Sequence, residues 1–112
     1  DWCPTLDTEI SLNYTNAFEK RYGYLPCNVN VVAYDQIYLL KAAMEQADTT
    51  TDREAIRDAL NNISGLELCM GTYNSDNNRH SFLTELQFVC IDEEGIIQYV
   101  STMSFENIQG AG

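Results

Sequence analysis

Positive charge is what this sequence has least of: six lysines and arginines stand against 17 acids in 112 residues, a formal charge of −11. Such a field repels phosphate backbones and anionic lipid headgroups, which argues against nucleic acid and membrane surfaces as partners. The single histidine, His80, sits in a polar stretch with no serine or cysteine nucleophile tied to it by spacing, so no triad is spelled out. The four cysteines, Cys3, Cys27, Cys69 and Cys90, include no C-x-x-C pair, which argues against a zinc ribbon or a thioredoxin-like redox site. Disulfides in any of their possible pairings stay open, but Cys69 and Cys90 fall inside apparent strands and read as small buried apolar residues. No apolar run approaches the roughly 20 residues of a membrane helix, and no charged-then-apolar leader stands at the start. Internal repeats and low-complexity tracts are missing too.

What is present is 45% hydrophobic residues, arranged with clear periodicity. From Ala33 to Gly65 the chain reads as a helical hairpin. Ala33, Ile37, Leu40, Met44 and Ala47 recur at the spacing of one helical face, which predicts a core stripe. Tyr34, Tyr38, Leu39 and Ala42 on the other side predict a helix packed on two flanks. Thr51 with Glu54 reads as a capping box for the second helix, Ile56, Leu60 and Ile63 as its stripe, and Gly65 as its left-handed close. Upstream, residues 1 to 7 give no periodicity. Thr8 to Tyr22 is predicted helical, with Asp7 or Thr8 as cap, Ile10, Tyr14, Ala17 and Phe18 on one stripe, and Gly23 just past the end. Leu25 to Asn30, containing Pro26, reads as a connector.

After Gly65 the period changes. Leu66, Leu68 and Met70 alternate into Gly71-Thr72-Tyr73 as one strand; Asn74 to Arg79 is a turn by composition; Phe82 to Ile91 and Ile96 to Ser101 form a hairpin about Asp92 to Gly95. The frayed end follows. This order predicts a single α+β domain over residues 1–112: three helices (8–65), then a small, mainly antiparallel sheet (66–101). Three strands are few to shelter three helices.

The chemistry-bearing residues are weak as sites. Asn74, Asp76, Asn78 and Glu85 match spacings of a calcium loop, but Arg79 stands where that loop needs glycine, and strands flank it. Asp92, Glu93 and Glu94 read as an acidic hairpin turn rather than a carboxylate dyad. Tyr14, Tyr22, Tyr24, Tyr34 and Tyr38 either line a pocket or, as is commoner at helical spacing, belong to the core. The sequons at Asn13 and Asn62 matter only in a eukaryotic secretory setting. No catalytic residue, metal site or cofactor is expected.

Three blocks, AYDQIYLLKAAMEQA, TDREAIRDALNNISGLE and GTYNSDNNRH, preceded by NAFEKRYGYLPCNVN, together resemble the C-terminal segment of the type I periplasmic, leucine/isoleucine/valine-type solute-binding proteins of ABC transporters. The resemblance spans roughly residues 8 to 101. It implies a portion of a two-lobe α/β fold, in an extracytoplasmic setting, periplasmic or anchored at the cell surface. It further implies a small polar solute such as an amino acid as ligand, and ABC transporter membrane subunits as partners, without catalysis. One ligand contact of the family falls just before the long helix, at Val29 with Asn30 beside it; valine stands where the family carries an aromatic residue. The chain then corresponds to a fragment, or alternatively to an oligomeric sensor or interaction module derived from that fold. Two apolar flanks on the long helix and unpaired strand edges predict self-association as a homo-oligomer.

Overall fold

Eight elements follow one another, three helices and then five short strands, in the computed structural model, which describes residues 2–76, 81–83 and 85–104. The first helix, α1 (Glu9–Tyr22), starts where the Thr8 hydroxyl accepts from the backbone N–H of Ser11 at 3.3 Å. It ends at Gly23, whose φ of 79° lets its N–H reach the carbonyl of Glu19. Glu9 in the first turn and Lys20 and Arg21 in the last complement the helix dipole. Its buried line is only partly the predicted one: Tyr14 is buried and Phe18 partly so, but Ser11 and Thr15 face inward as well, whereas Ile10 and Ala17 are exposed.

The long helix α2 (Asn28–Ala47) begins inside what sequence reads as a connector. Asn30 explains the early start, since its Oδ1 accepts from the Cys27 backbone N–H at 3.0 Å and satisfies a donor that the first turn leaves orphaned. The predicted core stripe is corrected here. Val31, Asp35, Leu39 and Ala43 are the buried residues, one every four, while Ala33, Leu40 and Ile37 are exposed, Ile37 by 67%. Two residues mislead the sequence pattern: Val31 lies before the assumed helix start, and Asp35 is a carboxylate buried at the centre of the inner face. Met44 and Ala47 do pack partly, with Ala43, against Ile56 and Ala59.

Helix α3 (Arg53–Asn61) is capped by Asp52, not by Thr51. The Asp52 carboxylate accepts from the N–H groups of Glu54 and Ala55, both at 3.1 Å, and a charged acceptor at a helix N-terminus outcompetes a hydroxyl. Ile56 and Ile63 are buried as predicted and Leu60 partly so. Asn62 closes the helix; Gly65, with φ of 67°, lies beyond it in the link to the first strand.

The single strand expected over residues 66 to 73 is in fact a hairpin. Strand β1 (Leu66–Leu68) and strand β2 (Gly71–Asp76) pair antiparallel with Leu68 opposite Gly71 and Leu66 opposite Tyr73. The two-residue turn between them, Cys69 and Met70, is held by Asp35. Its Oδ1 accepts from the Cys69 N–H at 3.0 Å and its Oδ2 from the Met70 N–H at 2.8 Å and the Tyr73 hydroxyl at 3.2 Å. Gly71, with φ of 132°, takes a backbone conformation that a side chain would strain. Alternation alone could not reveal the turn, because its cause lies 34 residues upstream.

Strand β3 (Ser81–Leu83) adds antiparallel to β2, giving the order β1-β2-β3. Asn74 to Asp76 therefore lie in a strand rather than a turn, and Asn74 Oδ1 accepts from the Gly65 N–H at 2.7 Å. Residues 77 to 80 and the C-terminal ENIQGAG lie outside the described residues, and with them His80, Arg79 and part of the calcium template. Strands β4 (Glu85–Ile91) and β5 (Ile97–Ser104) form a separate antiparallel pair, so the predicted Phe82 to Ile91 strand is shared between two sheets. The turn at Asp92 to Gly95 forms as expected. Asp92 accepts from Gln98 Nε2 and from the N–H groups of Ile96 and Glu94, and these hydrogen bonds hold its carboxyl below the usual range.

The irregular lead-in proves to be core. Trp2, Cys3 and Leu6 are buried with Tyr14, Val31 and Cys69, and Trp2 Nε1 donates to Ser11 Oγ at 2.8 Å. Thr5 Oγ1 accepts from the Tyr99 backbone N–H at 2.8 Å, tying this segment to β5. A second cluster unites Leu39, Ile63, Leu68 and Tyr73. All four thiols are free; Cys3 and Cys69 are buried, but Cys90, read as a buried apolar residue, is exposed on the β4–β5 hairpin. The chain is flat, 50 × 45 × 19 Å. Its accessible surface of 7797 Å² exceeds the roughly 6200 Å² expected of a monomer of this mass. Ile37, Ile91 and Val100 contribute to that excess, each more than half exposed.

Candidate functional site

Between the outer side of α1 and the N-terminal half of α2 lies an open cleft of about 1030 Å³. The sequence folds this way because α1 commits its small polar residues, Ser11 and Thr15, to the interior, which turns larger side chains toward the groove. Ile10, Asn13, Phe18 and Arg21 come from α1, Val29, Asn30, Ala33 and Tyr34 from α2, and Glu67 of β1 closes one end.

A ladder of rings crosses the cleft. Tyr14 on α1 meets Tyr34 on α2 with centroids 4.6 Å apart, Tyr34 continues to Tyr38 at 4.8 Å, and on the other side Tyr14 leads to Phe18 and Phe18 to Tyr22 at 5.9 and 4.6 Å. These are tilted contacts, the kind that ring quadrupoles favour over face-to-face stacking. The Tyr34 hydroxyl donates to that of Tyr38 at 3.2 Å, and this bond, with partial desolvation, raises the Tyr34 phenol to about 12. Among the described residues Arg21 is the one cation lining the cleft, its guanidinium carbon 5.6 Å from the Tyr22 ring centre.

Both residues singled out as ligand contacts are on this cleft. Val29 is 73% exposed at its mouth; Asn30 is partly buried, with its Oδ1 spent on Cys27. Of the five tyrosines, Tyr14, Tyr22 and Tyr34 line it, Tyr38 supports Tyr34 from behind, and Tyr24 packs on Phe18 and Tyr22 outside it. Only Tyr14 among them is core. The sequence did not mark Arg21 or Glu67 for this groove, and it marked Asn13 only as a sequon, since their meeting depends on how α1, α2 and β1 are set together. Among the described residues no cluster of acids, cysteines and histidine is placed to hold a metal ion.

Compared with known proteins, this architecture is a recognised one. The family model described as periplasmic binding protein matches residues 1–95. The chain belongs to the periplasmic binding protein family. Among solved structures, that of a leucine binding protein, LivK, from Thermotoga maritima is similar over 95% of this chain with a TM-score of 0.77 at 19% identity. The chain spans 30% of the length of that protein. Comparison with curated proteins finds no match. Three helices followed by small antiparallel sheets are thus part of a periplasmic-binding-protein fold, and the family is one of binding proteins rather than enzymes.

Proposed function

We propose that this chain is part of the solute-binding component of an extracytoplasmic, ABC-type uptake system for amino acids or similar small polar solutes, and that the α1–α2 cleft forms one wall of its ligand site. The observation that carries the reading is the position of Val29 and Asn30. They are the residues that the family resemblance marks as ligand-contacting, and both line the groove between α1 and α2, Val29 exposed and Asn30 partly buried, next to a ring ladder and the Arg21 guanidinium. Apolar walls with a few convergent polar groups are the usual make-up of a small-ligand site. ABC transporter membrane subunits are the partners this reading implies. Calorimetric titration of the chain with a panel of amino acids tests it: saturable heats support a ligand site on this chain.

A second reading is favoured by one observation, the extent of uncovered apolar surface on α2 and on β4–β5. In it the chain acts as an oligomeric interaction or sensor module built on the same fold. Silence across the titration panel, together with a mass in light scattering that grows with concentration, would favour this reading over the first.

A further inference from the structure

We infer that the α1–α2 cleft selects a solute carrying a flat ring and no net negative charge, such as an aromatic amino acid, over a branched aliphatic one. This rests on the ligand-site reading above. Three observations bear on it. The ladder offers ring faces and edges in series, and Tyr22 and Tyr34 present them to solvent, 53% and 39% exposed respectively. A further ring can extend such a series with the same tilted geometry, whereas a branched aliphatic group gains contact area only.

The second observation is size. At about 1030 Å³ the groove stands at the upper end of small-ligand cavities, and the short side chains of Val29 and Ala33 leave its α2 wall shallow between Tyr34 and the mouth. That space has room for a planar ring beside Tyr34. Third is charge. The chain carries a net −11, so a free anion is repelled at long range in spite of Arg21, while a zwitterion is not.

The test is an NMR titration of the full 112-residue chain, following the aromatic resonances of Tyr14, Phe18, Tyr22 and Tyr34 against L-phenylalanine, L-leucine and phenylacetate. L-phenylalanine is expected to move these resonances saturably, binding roughly fivefold to tenfold more tightly than L-leucine, the ratio one added ring contact supplies. Phenylacetate should bind more weakly than L-phenylalanine. Tyr34→Leu should remove most of the preference, with amide shifts confined to the neighbourhood of Tyr14 and Tyr38. Equal or tighter binding of L-leucine would overturn the ring preference and leave the solute-binding reading standing. If no probe shifts these resonances, both fail. Broadening of the same signals with protein concentration, with no response to any solute, would show a second copy seated on the cleft and overturn the inference as well.

Discussion

Replacing Asp35 should cost this chain more stability than any other single change on α2. The carboxylate is fully buried and accepts three hydrogen bonds, from the Cys69 and Met70 N–H groups and from the Tyr73 hydroxyl. Each hydrogen bond to a charged acceptor contributes about 1.5–3 kcal/mol, and a buried donor left without a partner costs about 1–3 kcal/mol. These terms overlap, and the Met70 end of the turn is only partly buried, so Asp35→Ala is expected to destabilise by about 4 kcal/mol, within the span that loss of a buried charged partner produces. For a domain of this size that corresponds to a melting temperature lower by roughly 15 °C. Asp35→Asn keeps one carbonyl acceptor but turns an amide donor toward a donor, so it should fall between parent and alanine variant. Urea unfolding followed by the fluorescence of Trp2, the chain's single tryptophan, measures all three. An alanine variant within about 0.5 kcal/mol of the parent, the range of an ordinary surface substitution, would refute the view that α2 holds the β1–β2 turn through this group.

Other outcomes follow from the same structure. In the folded chain Cys27 and Cys90 should react rapidly with a thiol reagent and Cys3 and Cys69 only on unfolding, giving two fast and two slow equivalents by absorbance. Burial, with Asp35 beside it, pushes the Cys69 thiol from 9.0 up to about 12, and the same causes raise Tyr73 above 10.0. With folded values raised, their contribution to stability is complete below about pH 9 and is lost as pH rises toward 12, so urea midpoints should fall across that window. Cys69→Ala should delay the onset. Asp92 has the opposite sign: its folded value is lowered, so the turn contact is present above the ordinary carboxylate value and is lost as pH falls through the lowered one. Protection of the Glu94 and Ile96 amides against hydrogen exchange, taken relative to the intrinsic rate at each pH, should fall there, and in Asp92→Ala at every pH above it. Light scattering should show the chain self-associating, and Ile37→Lys, at a 67% exposed position, should weaken that association without lowering the melting temperature.

The parts of the fold legible in the sequence are those fixed by local chemistry. Thr8 and Gly23 bracket α1, and Asp92 to Gly95 forms a hairpin turn, because each signal acts within a few residues of its cause. What was misread depends on distance. Asp35 looks like a polar break in an apolar stripe until the backbone it serves, at residues 69 and 70, is brought beside it. The same bond turns an apparently continuous strand into a hairpin. Trp2, Cys3 and Leu6 carry no period because they pack as a plug rather than along an element. Of the cleft, Val29 and Asn30 could be named from the family resemblance, and Tyr14, Tyr22 and Tyr34 from composition. Arg21 and Glu67 could not, since only the relative placement of α1 and β1 brings them to one groove.

The bond between Thr5 and Tyr99 joins positions 94 apart in the chain. During synthesis the three helices and the β1–β2 turn can meet as soon as residue 73 has emerged, since their contacts are comparatively local. The N-terminal segment has no β5 partner until Tyr99 emerges, about 26 residues later, and long-range closures of this kind are the slow steps of folding. A nascent chain therefore passes through a stage in which the Thr5 hydroxyl waits without its ribosome-bound counterpart, and a pause in translation between residues 73 and 99 would prolong it.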